Sequence, residues 1–437
     1  MKVARRRAAA RAAVQSSVLA GFALLLPAPA AAVGFGLFQH GGRAMGQAGA
    51  LTARGHEPSA LTYNPAAITR LPGLQLQAGL DFSNAEDSYR SASGDFSAHH
   101  IIQFPPSIYL TWRAPEDSVP IAFGVGLDAP FWHTLDFDPA LFPGRFVTRR
   151  SALEVFELHT VMAYEVAEGW SLGGGLRYLY GDLEHGDNAV TNVPIPGGAQ
   201  TNPVEIERLA ETDVDAIAWD LAIHRARPSW GWGAVFRSEA KLEGNGDVSY
   251  RPRDVFPNPA LETVLRSRFV PGRASQAFKL PWELRSGVWF APYPELRLEV
   301  DLAYANWSSL ERTTVAFSPD AVGQGPDVTP RNWQDTVSLR LALEGEVTDN
   351  VELMAGIAWE SSPVRGNTVE PGFPRDDALV YGAGFAYNFP QISFDLGYSF
   401  HDYGGRGASG QEPFNPDVEG SYSSRAQVWG FSARWRW

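Results

Sequence analysis

The stretch VGFGLFQHGGRAMGQAGALTARGHEPSALTYNPAAITRL, Val33 to Leu71, is the part around which the rest of the chain is organised. It is rich in Gly and Ala and shows neither a sustained helical nor a strand period. A segment this long without periodicity argues for disorder or for a functional insert. Phe35, Leu37, Phe38, Met45, Leu51, Leu61, Tyr63 and Ile68 make it too apolar for a solvated tail. The reading is a compact plug inside a β-barrel, with Gly41, Gly42, Gly46 and Gly49 permitting close backbone approach.

The residues on its N-terminal side set the compartment. Lys2, Arg5, Arg6, Arg7 and Arg11 form a basic region, Val18 to Leu26 an apolar run, and Ala30-Ala31-Ala32 a small-residue cleavage site. This is the pattern of a cleaved secretory signal peptide over residues 1–32. A retained anchor helix needs roughly 20 apolar residues, and Pro27 and Pro29 interrupt this run. Its removal takes away five positive charges and no acid, so the formal charge goes from −13 to −18. An acidic mature chain disfavours a nucleic-acid partner. The absence of Cys excludes a disulfide scaffold. No mature stretch reaches the roughly 18 consecutive apolar residues of a spanning helix.

On its C-terminal side the chain alternates with period two almost to the end. Leu296, Leu298, Val300, Leu302 and Tyr304 share one face, and Arg297, Glu299 and Asp301 the other. Val337, Leu339, Leu341 and Leu343, and then Ile392, Phe394, Leu396, Tyr398 and Phe400, repeat the pattern. Charges opposite a continuous apolar face fit a wall with lipid outside and a polar lumen inside. A soluble sandwich alternates in the reverse sense. Segments longer than soluble strands, and Trp170, Trp230, Trp232, Trp282, Trp289, Trp307, Trp333 and Trp359 near segment ends, favour the membrane barrel with its aromatic girdles. Tight turns at 167–169, 227–229, 292–294 and 349–350 alternate with long connections at 129–149, 184–212, 251–276, 315–332 and 403–422. The expected architecture is therefore all-β: a transmembrane antiparallel β-barrel of about fourteen strands over 72–437, with a plug over 33–71. A closed barrel has no edges to cover, so a monomer in contact with outer membrane lipid is expected.

Several motifs resemble the FadL-type long-chain fatty acid transporters of Gram-negative outer membranes. These are Gly34-Phe35, the Gly/Ala run from Gly41 to Ala50, Asn64-Pro65-Ala66, Leu280-Pro281-Trp282 with Arg285 and Gly287, and Asn306-Trp307-Ser308. Asn332-Trp333-Gln334-Asp335-Thr336, and Ser362-Pro363-Val364 followed by Pro374-Arg375-Asp376, complete the set. The final strand, ending at Trp437, resembles the signal read by the outer membrane assembly machinery. One departure is Arg54-Gly55-His56-Glu57-Pro58, where the family carries an acidic pair. The resemblance implies an outer membrane channel for passive uptake of long-chain fatty acids or other hydrocarbon ligands. Ligand would be captured by outer loops, passed to a luminal site and released past an N-terminal hatch through the wall. Gly34, Phe35, Asn64, Pro65 and Ala66 would be hatch residues.

Candidate binding residues emerge from residue type. Phe131, Trp132, Leu135, Phe137, Leu141, Phe142 and Phe146 are too many large apolar residues for a water-facing loop. They form either a loop core or an exposed groove that collects apolar ligand. Leu261, Val264, Leu265 and Phe269 recur at helical spacing in a second long loop and either cover the barrel mouth or complete that groove. Arg177, Arg285 and Arg340 fall on inward faces, where each can bind a ligand carboxylate or pair with Glu283, Glu299 or Asp301. Pro105-Pro106 and Pro130 mark either a kink in the wall or a strand end. No G-x-S-x-G or H-E-x-x-H motif is present, so neither an enzyme nor a metal or other cofactor is expected. A general porin for polar solutes and a surface adhesin or receptor are the alternatives. The first calls for an open lumen and polar loops, and the second leaves the plug without a role.

Overall fold

The computed structural model describes residues 39–115, 117–194, 201–253, 259–408 and 418–437. The expected signal peptide, Gly34 and Phe35 lie outside them. The wall consists of β1 (Leu74–Ser91), β2 (Pro106–Arg113), β3 (Ile121–Asp136), β4 (Arg150–Ala167), β5 (Trp170–Pro194), β6 (Thr201–Ala226) and β7 (Trp230–Arg237). It continues with β8 (Glu283–Tyr293), β9 (Leu296–Ala305), β10 (Thr336–Glu346), β11 (Val351–Glu360), β12 (Ala378–Asn388), β13 (Ile392–Ala408) and β14 (Gly420–Arg436). Each strand pairs antiparallel with the next. β14 closes the ring on β1, from Gln75 opposite Arg436 to Arg90 opposite Ser421. Fourteen strands is the number expected. Closure leaves no free sheet edge, so the ladder groups are satisfied within the wall, as hydrocarbon demands, except at one break beside β3.

The sense of alternation separates this barrel from a sandwich. In β9, Leu298, Val300 and Leu302 are exposed, whereas Glu299 and Asp301 are each 1% exposed. Phe123, Met162, Leu172, Leu176, Ile217, Leu221, Leu396 and Phe431 likewise face outward. Aromatic rows run along the outer face, with ring centroids 5.2 Å apart for Trp132–Phe156, 5.7 Å for Phe156–Tyr180 and 4.6 Å for Tyr398–Trp429. Among the described residues no helix is long and apolar enough to cross a membrane.

Residues 39–71 fill the lower lumen as two helical turns, Gly42–Gly46 and Ala60–Tyr63, and a 3-10 helix, Pro65–Arg70. The stretch lacks a period because the wall, rather than its own backbone, satisfies much of it. The N–H groups of Leu51 and Thr52 donate to Asp301 at 3.0 and 2.9 Å, and that of Ala53 to Glu299 at 2.8 Å. Arg43 reaches four carboxylates: Glu57 at 3.2 Å, Glu344 at 2.5 Å, Glu352 at 2.6 Å and Asp395 at 3.1 Å. Arg54 pairs with Glu299 at 2.5 Å and Glu344 at 2.9 Å, so the departure at Arg54–Pro58 is itself wired into the wall. Wall glycines admit the segment's backbone: a Cβ on Gly397 would overlap the Gly42 carbonyl oxygen, and one on Gly356 the Gln47 carbonyl carbon.

Asn64-Pro65-Ala66 has a defined role in this seating. The Asn64 amide donates to the carbonyls of Thr52 at 3.0 Å and Ile223 at 3.2 Å, and its oxygen accepts from the Ala66 N–H at 3.0 Å. It thus caps the 3-10 helix, with Pro65 at the first position where no N–H is required. Asn64→Ala is expected to weaken the seating by about 2 kcal/mol. Faster hydrogen exchange over 39–71, with the wall unchanged, is the readout.

Beyond the membrane, the long connections are more ordered than expected. Residues 184–194 and 201–212 are not a loop: β5 and β6 continue as a paired ribbon to Pro194 opposite Thr201. Ala240–Pro252, Gly272–Leu280, Arg312–Ser318 and Asp327–Pro330 add an outer sheet to the edge of β6. The outer sheet and the wall are offset at neighbouring positions: 238–239, Pro281-Trp282, 306–311 and 331–335. Pro281 has no ladder donor. Asp335 holds the turn at Trp307–Ser309, accepting from Asn306 Nδ2 at 3.0 Å, the Ser308 N–H at 2.9 Å and the Tyr304 hydroxyl at 2.5 Å. These breaks suspend the alternation, and Trp307 and Trp333 are buried at 4% and 1% exposure.

Candidate ligand site above the N-terminal segment

A cavity of about 30 Å³ lies where the strand breaks meet the inner segment. His40 and Thr62 form its floor, Pro130 and Phe131 of β3 one side, and Ser238, Leu280 and Pro281 the broken strands. Ala240, Arg177 of β5, Arg237 of β7, and Glu283 and Arg285 of β8 complete the lining. Arg177 is ion-paired with Glu157, and Arg285 donates to Glu283 at 2.7 Å. Arg237 donates one N–H to the Thr62 carbonyl, its Nε has no partner, and among the described residues no carboxylate lies within ion-pair distance of it. Burial opposes a charge on His40, but Asp128 and Asp81 outweigh it and hold its pKa above the usual histidine value. An anion entering here meets a buried guanidinium that, among the described residues, shares the field of Glu157 and Glu283 but is in direct contact with neither, a strong and directional recognition element.

Of the three arginines expected in the lumen, the structure brings Arg177 and Arg285 to one cavity. Arg340 is set apart, paired with Glu360 beside Gly49. The Arg285 pair uses Glu283, a partner expected from sequence. Sequence reasoning misses Arg237, although its phase is legible: Trp230, Trp232 and Phe236 share one face, and Gly231, Gly233, Val235 and Arg237 the other.

Above the cavity the lumen is aromatic, with the buried Arg331–Glu370 ion pair set against the rings of Trp333 and Phe373. Phe278, Trp307, Trp333 and Phe373 pack together, with centroids 5.2 Å apart for Trp307–Trp333, 5.9 Å for Trp333–Phe373 and 6.4 Å for Phe278–Trp333. Phe131, Leu135, Phe137 and Phe142 belong to the same buried cluster, with Phe137 and Phe142 stacked at 4.1 Å. Leu261, Leu265 and Phe269, with Val264 against them, pack in a separate outer cluster on Val193, Val204, Ile206 and Val322. The two loops therefore pack as two separate buried clusters, the first as the loop core that is one of its two expected forms, and not as one shared exposed groove. The reason is pairing: β3 runs on to Asp136 opposite Arg150, so Phe131, His133 and Leu135 turn inward while Trp132 joins the outer aromatic row. Leu141 is 70% exposed, and Phe146 lies under the Arg145 guanidinium at 4.2 Å.

The wall beside the cavity is incomplete. The β2–β3 ladder ends at Ile108 opposite Leu127, although β3 continues, with an irregularity against β4 between Asp128 and Phe131. Among the described residues no backbone hydrogen bond joins 104–107 to 128–132. Pro105-Pro106 lies on one side of this break and Pro130 on the other, and Pro130 and Phe131 also line the cavity. Asp128 is held at the break by Thr62 Oγ1 at 2.8 Å and the Tyr109 hydroxyl at 3.0 Å.

A closed fourteen-strand barrel with an occupied lumen and a luminal cavity beside a wall break is a specific combination. Residues 23–437 match the family model described as outer membrane protein transport protein (OMPP1/FadL/TodX). The chain belongs to this family. It is 23% identical over 422 residues to the long-chain fatty acid transport protein of Escherichia coli K12, covering 88% of this chain and 91% of that protein. It is also 23% identical over 370 residues to alkane uptake protein A of Marinobacter nauticus, covering 78% and 77%. A Pseudomonas aeruginosa FadL homologue superposes with a TM-score of 0.78 at 17% identity, covering 92% of this chain and 99% of the other. The Pseudomonas putida toluene transporter TodX gives 0.71 at 16%, with 92% and 99% covered. At these identities the solved structures establish the shared fold. Membership of the FadL/TodX family makes the chain an outer membrane β-barrel of a Gram-negative bacterium, in a family of transport channels for hydrophobic compounds.

Proposed function

We propose that this barrel takes up molecules with an apolar tail and a carboxylate head, of the long-chain fatty acid type, without a cofactor. The observation that carries the reading is Arg237, a luminal guanidinium without a carboxylate partner among the described residues, beneath an aromatic upper lumen. The tail partitions into the cluster around Phe278, Trp307, Trp333 and Phe373, and the head meets Arg237 between the pairs formed by Arg177 and Arg285. Release runs sideways through the break between Pro105-Pro106 and Pro130, which adjoins the cavity and opens on the lipid-facing wall. Residues 33–71 act as a hatch that closes the lower lumen to polar solutes, so an open porin fits poorly. The chain is exported through a cleaved segment at 1–32 and assembles as a monomer through the strand ending at Trp437.

The relatives named for fatty acid, alkane and toluene transport frame the test. Displacement of a fluorescent long-chain fatty acid by an unlabelled acid, its methyl ester and the alkane of equal length separates head from tail. The acid is expected to displace about 10- to 100-fold more tightly than the ester, the range of one charged hydrogen bond or pair. Equal displacement by all three would overturn the carboxylate and leave a hydrocarbon channel, the reading that the aromatic cluster by itself favours.

A further inference from the structure

A second cavity, about 390 Å³, opens at the short-turn end of the barrel, on the opposite side of the inner segment from the aromatic cluster. Short turns mark the periplasmic end of such barrels. Seven guanidiniums and three carboxylates line this cavity. Arg43, Arg54 and Arg297 are paired with the carboxylates of the lining, and Arg227 lies 3.4 Å from Glu168. The other three have no carboxylate within ion-pair distance among the described residues. Arg434 donates to the His56 carbonyl at 2.6 Å and Ser393 Oγ at 3.2 Å, Arg436 to the Phe389 carbonyl at 3.4 Å, and Arg70 is exposed on the inner segment. Arg54, with 3% of its side chain exposed, keeps Nη2 without any partner.

Unneutralised cations gathered in a recess focus a positive potential, and a buried guanidinium with an idle donor is stabilised by an oxyanion. A phosphate group, with its several acceptor oxygens, can engage more than one fork at once. We infer that this recess binds a phosphate group between Arg54 and Arg70 of the inner segment and Arg434 and Arg436 of the wall. Because the partners belong to two separate parts of the chain, occupancy pins the segment to the wall. The group comes either from free inorganic phosphate or from a phospholipid head at the inner leaflet. The inference is independent of the uptake reading.

The test is isothermal titration of inorganic phosphate into the full-length barrel in a non-ionic detergent, with ionic strength held constant by sodium chloride. Saturable binding is expected, weakened about tenfold or more in Arg70→Gln and in Arg436→Gln. Both side chains make few contacts, so each variant barrel should keep its heat-modifiable gel mobility. Phosphate should also slow proteolysis of 39–71 in the unsubstituted barrel and not in the variants. In nanodiscs, competition by phosphatidylglycerol over phosphatidylcholine assigns the site to a lipid head, and its absence assigns it to the free anion; either supports the site. Heats that do not saturate, or unchanged affinity in both variants, would overturn it.

Discussion

Arg43→Ala is expected to turn a barrel closed to sugars into one that passes them. Arg43 is 1% exposed and lies within ion-pair distance of Glu57, Glu344, Glu352 and Asp395. Its loss leaves buried carboxylates facing one another across the joint between segment and wall. Removing one partner of a buried ion pair costs about 3–5 kcal/mol, and here a single side chain serves several partners. The wall ladder does not depend on it, because the fourteen strands are joined by backbone hydrogen bonds. In liposome-swelling measurements the unsubstituted protein should stay near the lipid background, and Arg43→Ala should swell in maltose at a porin-like rate. Gly397→Leu reaches the same end by sterics, since its side chain would occupy the space of the Gly42 carbonyl. A variant that keeps heat-modifiable mobility yet remains closed would mean that the segment is not the seal.

Arg237→Met is expected to lower carboxylate affinity by about 10- to 100-fold, the worth of roughly one charged hydrogen bond or pair. Methionine keeps most of the apolar stem's packing, so binding of the methyl ester should be unchanged. That contrast separates recognition of the head from a general loosening of the cavity. Arg237→Lys should recover part of the loss, as a point charge without the planar fork. The same change at Arg340 should leave carboxylate binding unaltered, because that guanidinium is committed to Glu360 away from the cavity.

The membrane-spanning part of the fold is legible in the sequence because two solvents of opposite character face the two sides of each strand. Leu298, Val300 and Leu302 against Glu299 and Asp301 can be read in only one register with lipid outside. Above the membrane both faces are wet or packed, the contrast disappears, and the paired strands at 184–194 and 201–212 read as loop. The breaks at Pro281 and Trp307–Ser309 stop the alternation, and those same breaks turn Trp307 and Trp333 toward the lumen. Asn64-Pro65-Ala66 is visible as a motif, but its hydrogen bonds reach Thr52 elsewhere in the aperiodic segment and Ile223 far away in the wall, and no local pattern marks either. The site itself is half legible. Strand phase places Arg177 and Arg285 inward, whereas the partner that neutralises each arginine depends on register across neighbouring strands. Arg237 stands out only once its neighbours are seen to hold carboxylates while it, among the described residues, is in direct contact with the Thr62 carbonyl and no carboxylate.

A carboxylate-directed luminal site is best tested by extracting the barrel from outer membranes in polymer nanodiscs, without detergent, and identifying by mass spectrometry the apolar molecules that co-purify. Free carboxylic acids with long apolar tails should be enriched over those carried by an unrelated outer membrane barrel, and lost from Arg237→Met. Enrichment of neutral hydrocarbons alone, undiminished in Arg237→Met, would contradict such a site.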